Sequence, residues 1–134
     1  MPSSLTIRPI TPADSGTWEQ LRDLLWPDPA GHAAEIAAFF FGTLDEPQAV
    51  FFAENESGVV AFAELSIRTD VPGLEGKTTC YVEGLYVLPE VRHQGIARQF
   101  LLFSREWARQ QGCEAFASDR AERIVIDHAY QPPR

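Results

Sequence analysis

The sequence predicts one domain of the α+β class, spanning residues 1–134 and built in three layers around a mixed sheet. Its 134 residues suit a single small domain. Apolar residues make up 45% and charged residues 22%, which is typical of a globular chain rather than a disordered one. Strand and helix patterns alternate, and a strand–helix–strand unit over residues 81–118 predicts two neighbouring parallel strands joined by a right-handed crossover.

Two helices are predicted to follow a short first strand. The run SLTIRPI is rich in β-formers, and the next run, TPADSGTWEQLRDLLW, opens with turn and capping residues. A second helical pattern begins after the PDP of residues 27–29. The predicted apolar faces are Trp18, Leu21, Leu24 and Leu25 on the first helix and Ala33, Ala37, Phe40, Phe41 and Leu44 on the second.

An antiparallel hairpin is predicted next. The strand QAVFFAE leads through the turn NESG into VVAFAELSIR, where side chains alternate between two faces. One face is apolar throughout, whereas the other becomes polar toward the end of the second strand. The polar end of that face is expected to meet water, a ligand or a partner. The first face comprises Val59, Ala61, Ala63, Leu65 and Ile67, and the second comprises Val60, Phe62, Glu64, Ser66 and Arg68.

The second half of the chain predicts strand, helix, strand and helix. The long strand TTCYVEGLYVLP contains Gly84, and a glycine inside a strand often marks a bulge or the close approach of another group. A helix is predicted from Gly95, with Gly112 ending it and CEAFAS forming the next strand. The run DRAERIVIDHAYQ predicts a final helix. The apolar face of the helix after Gly95 comprises Ile96, Phe100, Phe103 and Trp107.

The charge and the cysteines narrow the possible partners. Nineteen acidic and eleven basic residues give a formal net charge of −8, which disfavours nucleic acid and anionic membranes and favours a cationic ligand, although solubility alone also explains it. Cys80 and Cys113 lack CxxC spacing and nearby histidines, which favours structural thiols over a zinc site or a disulfide. With no signal peptide and no membrane span in the sequence, we expect a cytoplasmic protein without a metal.

The stretch VLPEVRHQGIARQF suggests an anion site. A strand ends, a turn containing Gly95 presents successive backbone N–H groups, and a helix begins with its partial positive charge at the same place. Arg92, His93 and Arg98 add charge or donors. The alternative is that Gly95 only permits the turn and the basic residues are solvated.

The spacing Arg92-x-x-Gly95-x-Ala97 resembles the R/Q-x-x-G-x-G/A signature of the GNAT superfamily of acyl-CoA-dependent N-acyltransferases. The resemblance implies acetyl-CoA as co-substrate, helices on both faces of the sheet, and a strand opened by a bulge near Gly84 that pairs its backbone with pantetheine. N–H groups around Leu85 would polarise the acetyl carbonyl. The implied coenzyme-binding residues are Leu85, Tyr86 and Val87 for the acetyl-pantetheine arm and Arg92, His93, Gln94, Gly95, Ile96, Ala97 and Arg98 for the pyrophosphate.

Further blocks, among them LLWPDPAGHAAEI, ELSIR and GCEAFASD, resemble the aminoglycoside 6′-N-acetyltransferases. This resemblance implies acetyl transfer to the 6′-amine of a cationic aminoglycoside, hence antibiotic resistance, and a homodimer. Two alternatives stay open. The acceptor could be another small amine or a peptide N-terminus, or the chain could be an inactive homologue that binds acyl-CoA.

Three residues are candidates for acceptor binding. Glu83 is a candidate catalytic residue that, with Asp119, positions and deprotonates the cationic acceptor, and the resemblance implies that it contacts the aminoglycoside; a strand carboxylate facing solvent or paired with an arginine is the alternative. Asp119, after the last strand, is a candidate to bind or deprotonate the substrate ammonium, and a capping box with Glu122 is the competing interpretation. Trp26 corresponds to a substrate-contacting tryptophan, or it completes the first helix's core face.

Two further polar residues receive weaker interpretations. His32 is expected to face solvent or to cap locally rather than to ligate anything. Glu64 is a candidate second acidic contact with the acceptor, and pairing with Arg68 is the simpler alternative.

The chain departs from the resembled enzymes in several places. The loop TDVPGLEG lacks their tyrosine, with Asp70 or Val71 nearest to its place, and Ile124 stands where they carry a coenzyme-contacting asparagine. Gln131 aligns with the tyrosine that protonates the thiol in many GNAT enzymes. The chain ends in PPR, where the family continues into two further strands, so we expect the last two strands to be missing and the strand over residues 113–118 to have an unpaired edge.

Overall fold

The computed structural model describes residues 5–118 and the backbone of residues 123–125. Its helices and strands are β1 (Thr6–Pro9), α1 (Ser15–Leu25), α2 (Ala33–Phe41), β2 (Ala49–Asn55), β3 (Gly58–Arg68), β4 (Thr79–Val87), α3 (Ile96–Gln110), β5 (Ala115–Ser118) and β6 (Arg123–Val125). Short 3-10 turns at Pro12–Asp14 and Pro89–Val91 precede α1 and α3.

The strands form one mixed sheet in the order β1-β2-β3-β4-β5-β6. All neighbours are antiparallel except β4 and β5, which pair in parallel from Thr79 opposite Ala115 to Val82 opposite Ser118. Helix α3 connects these two strands, as the strand–helix–strand pattern predicts. The hairpin of β2 and β3 is also confirmed, so the local sequence signals identify most of the sheet.

The end of the described chain differs from the sequence-based expectation. Arg123–Val125 form β6, antiparallel to β5, so the prediction of a helix was wrong at these residues. The expected unpaired edge was wrong as well, because β5 lies between β4 and β6. The physical reason is the β-branched pair Ile124 and Val125, which favours a strand once a partner is adjacent.

Helices cover both faces of the sheet, which confirms the three-layer arrangement. On one face, α3 packs on the apolar side of β3 and β4; on the other, α1 and α2 pack on β2 and β3. We call these the α3 side and the α1/α2 side. Core residues of the α3 side include Ala61, Ala63, Leu65, Cys80, Val82, Ile96 and Phe100; those of the α1/α2 side include Trp18, Leu21, Ile36, Val50, Phe52 and Phe62.

The predicted alternation of β3 holds except at its start. Ala53 lies opposite Ala61, but Glu54 lies opposite Val59, so Val60 is an extra residue in this pairing. Val60 therefore packs on the α3 side and Val59 on the α1/α2 side, the reverse of the prediction for these two residues.

The helical faces also need correction. In α1, Leu24 is exposed, whereas Arg22 is buried because it binds a buried carboxylate of β3. In α2, Phe41 is 84% exposed, and Ile36 takes the buried position.

Both cysteines are buried free thiols, as predicted. Burial raises the pKa of Cys80 far above its usual range, so its thiol stays protonated and unreactive. None of the helices described is both long and apolar enough to cross a membrane.

Candidate active site

A β-bulge in β4 organises the site. Gly84 lies opposite Glu64 and Val82 lies opposite Leu65, so Glu83 is an extra residue without a cross-strand partner. The bulge places Glu83 and Gly84 on the α1/α2 side, where Glu83 meets Arg68 and Gly84 meets Trp26. The expectation of a bulge at Gly84 is confirmed.

The backbone of β4 continues beyond the region that pairs with β5. Within the described residues, the parallel pairing covers Thr79 to Val82 of β4, while β4 runs on to Val87. Leu85, Tyr86 and Val87, the residues predicted to pair with the pantetheine arm, therefore lie beyond the last β4–β5 pair. Leu85 and Val87 point to the α3 side, and Tyr86 points to the α1/α2 side.

The loop after β4 has the backbone conformation that an anion site requires. His93 and Gly95 both have positive φ, at 67° and 81°, and α3 begins at Ile96 directly after them. The first N–H groups of a helix have no acceptor within the helix, and its dipole adds partial positive charge. Alternating left-handed residues followed by a helix N-terminus form a cradle of donors suited to phosphate.

The side chains of this loop divide into three kinds. Ile96 is buried in the core, so only its backbone is available to a ligand. Arg92 donates from Nε to the carbonyl of Val87 at 2.8 Å and lies over the ring of Tyr86, so its side chain ties the loop to the end of β4. Arg92 is nevertheless exposed to solvent, as are His93, Gln94, Ala97 and Arg98.

Glu83 is held by an arginine. Arg68 donates from Nε and Nη2 to the two oxygens of Glu83, at 2.8 and 3.0 Å, and Nη2 also contacts Glu46 at 2.7 Å. The guanidinium lies 4.8 Å from the centre of the Tyr81 ring. Burial lowers the pKa of Arg68, but the bonds and charges of Glu83 and Glu46 outweigh it and raise the pKa above its usual value. Two carboxylates thus share one permanently charged guanidinium.

Trp26 lies directly over the bulge. It ends α1, and its ring leaves no room for a side chain at position 84: a Cβ built on Gly84 would lie 2.8 Å from Trp26 Cζ2 and closer still to Cη2. Only glycine permits this approach. Trp26 is 36% exposed, so part of the residue is open to solvent.

Glu64 does not belong to the surface of the site. It is fully buried, accepts a hydrogen bond from Trp18 Nε1 at 2.9 Å, and accepts two from Arg22 at 2.7 and 3.1 Å. Both earlier interpretations, a contact with the acceptor and a pair with Arg68, were therefore wrong. A buried carboxylate needs such partners, and α1 supplies them.

The structure also shows which other predicted site residues are buried and which are exposed. His32 is buried at 4% exposure, so the expectation that it faces solvent was wrong, whereas the alternative of a local cap agrees with its contact to the carbonyl of Trp26, the residue that ends α1. Val71 is buried in a small cluster with Leu74, which removes it from any acceptor surface, whereas Asp70 is exposed. Asp119, the candidate base, and Gln131 lie outside the described residues.

The roles of Arg22 and Glu46 were not predicted from the sequence. Arg22 falls midway between Trp18 and Trp26 at helical spacing, which was a usable signal, because a charged residue on an apolar face needs a buried partner. Glu46 gave no signal, since its role depends on the folded position of Arg68. Within the described residues, no group of three or more potential ligands could hold a metal ion.

Known proteins resemble this chain over most of its length. Residues 18–125 match the acetyltransferase (GNAT) family. Aminoglycoside N(6′)-acetyltransferase type 1 of Klebsiella aerogenes is 39% identical over 122 residues, covering 89% of this chain and 80% of that protein. The protein of the same name from Stenotrophomonas maltophilia is 39% identical over 129 residues, covering 95% and 82%.

Solved structures of aminoglycoside acetyltransferases also resemble this chain. The enzyme AAC(6′)-Iy, in complex with the bisubstrate analogue CoA-S-monomethyl-acetylneamine, matches with a TM-score of 0.76 and 32% identity, over 89% of this chain and 81% of that one. AAC(6′)-Ih from Acinetobacter baumannii matches with a TM-score of 0.75 and 32% identity, over 94% and 83%.

Proposed function

Because this chain belongs to the acetyltransferase (GNAT) family, we propose that it transfers the acetyl group of acetyl-CoA to the 6′-amine of aminoglycosides, which confers resistance to these antibiotics. One observation carries this proposal: relatives named as aminoglycoside N(6′)-acetyltransferases are up to 39% identical over nearly the whole chain. The bulge, the phosphate-type loop and an acidic surface are the features that such a reaction needs.

Acetyl-CoA binds across the end of β4 and the start of α3. The backbone of Leu85, Tyr86 and Val87 pairs with the pantetheine arm. The N–H groups from His93 to Arg98 hold the pyrophosphate, with the exposed side chains of Gln94 and Arg98 beside it. The two positive φ angles support this assignment, because they turn successive N–H groups toward one point.

The acceptor binds on the α1/α2 side of the bulge. Glu83 attracts a substrate ammonium, and Trp26 packs against a sugar ring. Support comes from their convergence at Gly84 and from the net charge of −8, which favours a cationic substrate. Asp119 binds or deprotonates the attacking amine, a role supported by its position in the sequence directly after Ser118, the last residue of β5.

The transfer is a direct attack. The lone pair of the neutral amine adds to the thioester carbonyl carbon, and the developing oxyanion accepts a hydrogen bond from the backbone N–H near Leu85. The carbon–sulfur bond then breaks, the amide forms, and the coenzyme leaves as a thiolate that takes up a proton. Asp119 takes the proton that the amine loses.

We further propose that the enzyme acts in the cytoplasm as a single-domain protomer of a homodimer. Two buried free thiols suit a reducing compartment, and cytoplasmic acetyl-CoA is the acetyl donor. Light scattering during size-exclusion chromatography measures the mass, and a monomer at micromolar concentration contradicts the dimer.

Thiol release tests the function. Acetyl-CoA with kanamycin or tobramycin should release free coenzyme A thiol well above background, and mass spectrometry should locate one acetyl group on the 6′-amine. Asp119→Asn should lower kcat at least a hundredfold while coenzyme affinity is unchanged, and Glu122→Gln is the matched control.

The other outcomes separate the alternatives. Turnover with simple amines or peptides but not with aminoglycosides would replace the acceptor and keep the reaction. Folded protein that binds acetyl-CoA in calorimetry without releasing thiol from any amine would contradict the enzyme assignment.

A further inference from the structure

We propose that His32 is a positioning residue for the acceptor: it holds the backbone of Trp26, and thereby fixes the indole ring against the bulge where the amine binds. This inference rests on the proposed function, because Trp26 matters to catalysis only as an acceptor contact. His32 itself touches neither substrate, so its effect passes entirely through Trp26.

The contacts of His32 define its hydrogen-bonding roles and its orientation. The side chain is buried, with Nε2 at 2.9 Å from the carbonyl oxygen of Trp26 and Nδ1 at 3.4 Å from Arg22 Nη1. A carbonyl oxygen only accepts and a guanidinium only donates, so Nε2 carries the proton and Nδ1 accepts. The imidazole of His32, the residue before α2, therefore connects Arg22 of α1 with the backbone of Trp26, which ends that helix.

The carbonyl of Trp26 needs such a donor. Trp26 leaves the helix, with φ at −132° and ψ at 79°, and the last carbonyls of a helix have no partner within it. Pro27 follows, and it restricts Trp26 further to an extended conformation. The bond from His32 therefore fixes the direction in which the chain, and with it the indole, leaves α1.

A second set of contacts fixes the ring. The Arg22 guanidinium lies 5.3 Å from the centre of the Trp26 ring and 5.7 Å from that of Trp18. Glu64 of β3 holds the same guanidinium at 2.7 Å, so the cation cannot shift without breaking a buried ion pair. His32 reaches both parts of this assembly, since it bonds to the Trp26 backbone and to Arg22.

The ring position matters because of its neighbour. The indole lies on Gly84, directly after Glu83. A rotation of the indole would open or close the space beside Glu83. Loss of the His32 bond should therefore weaken acceptor binding, while the coenzyme loop, which follows the end of β4 and has no described bond to His32, should be unaffected.

Two variants separate positioning from folding. His32→Leu removes donor and acceptor while filling similar space, whereas His32→Gln keeps an amide donor and an acceptor oxygen. In His32→Leu, KM for tobramycin should rise about tenfold, as expected for one buried hydrogen bond. The KM for acetyl-CoA should be unchanged, and His32→Gln should restore most of the acceptor KM. Equal changes in both KM values, or no rescue by glutamine, would overturn the proposal.

A second readout does not depend on activity. With 5-fluorotryptophan incorporated, ¹⁹F NMR gives one resonance for each of the three tryptophans, and Trp26→Phe identifies the relevant one. That resonance should shift or broaden in His32→Leu and return in His32→Gln, with the Trp107 resonance as internal control. An unchanged Trp26 signal would overturn the inference. Absence of turnover in the parent enzyme would instead overturn the proposed function, and the spectra would still decide whether His32 holds Trp26.

Discussion

Glu83 enters the reaction already bound to a cation. Arg68 grips both oxygens of its carboxylate, so an incoming ammonium meets a group whose orientation is set and whose charge is partly balanced. Glu46 on the other side of Arg68 leaves the three residues with one net negative charge. The alternative interpretation of Glu83, a carboxylate paired with an arginine, is therefore confirmed. The pair is also compatible with the proposed role of Glu83 in binding the substrate ammonium.

Replacing Arg68 tests this arrangement. In Arg68→Met, the KM for an aminoglycoside should rise about fivefold to tenfold, because Glu83 loses the paired bonds that orient it. Arg68→Lys should not rescue, since an ammonium lacks the planar fork. Arg109→Met, at an exposed arginine of α3, is the charge-matched control, measured by the same steady-state kinetics. A lower KM in Arg68→Met would show that Arg68 competes with the substrate instead.

The roles of two glycines were predictable from the sequence, whereas the partners of the buried charged residues were not. Gly84 and Gly95 were predictable because a glycine in a strand or before a helix has few explanations. The partners of Glu64 and the burial of His32 were not predictable. Arg22 and Glu64 are 42 residues apart in sequence, and only the packing of α1 on β3 brings them together.

The turn between β4 and α3 is the element that the sequence described best. Its signals are local: a proline after the strand, a glycine, and then an apolar helical face. The final helix was predicted on similar signals and was wrong at residues 123–125, because strand formation there depends on β5, a partner that a local pattern cannot show.

The conformation of Gly95 gives a prediction for this element. Gly95→Val should raise the KM for acetyl-CoA at least tenfold, because a β-branched residue at φ near 81° is strained and the loop must change to relieve it. Nothing lies within 4 Å of a Cβ at this position, so crowding is not the cause.

Gly73→Val is the matched control, since Gly73 also has positive φ and open space but lies in the loop between β3 and β4. Both variants should lose similar stability in thermal melts. Equal acetyl-CoA KM values in the two variants would contradict a coenzyme role for the turn.

For the molecule as a whole, ion pairs connect the first strand to the rest. Arg8 of β1 binds Asp14 at 2.8 Å and Glu54 of β2 at 2.7 Å. The hydrogen bond from Arg8 is the main cause that lowers the pKa of Asp14 from 3.8 to about 2, and Thr11 adds further bonds. Asp14 thus joins the sheet edge to the start of α1.

Acid should weaken this connection. Because folding lowers the pKa of Asp14, its carboxylate stabilises the fold fully at pH values above its unfolded-state pKa of 3.8. This stabilisation is lost as the pH falls toward the folded-state pKa of about 2. Asp14→Asn should lose about 1 kcal/mol of unfolding free energy at pH 7, and its difference from the parent should shrink between pH 4 and pH 2. Urea titrations at several pH values measure this, with the exposed Asp45→Asn as control. A difference that stays constant with pH would contradict the assignment.

The extra residue in β4 also shifts by one residue the alternation of side chains between the two faces of that strand. Before Glu83 the even-numbered residues Cys80 and Val82 face α3, and after it the odd-numbered Leu85 and Val87 do. Because Glu83 and Gly84 both lie on the α1/α2 side, deleting Glu83 would remove the bulge and leave the later side chains on their present faces, whereas a deletion elsewhere in β4 would turn the side chains beyond it to the opposite face. Segments exchanged with related proteins should therefore preserve the residue count on each side of Glu83, because the residues that face α3 are even-numbered before Glu83 and odd-numbered after it.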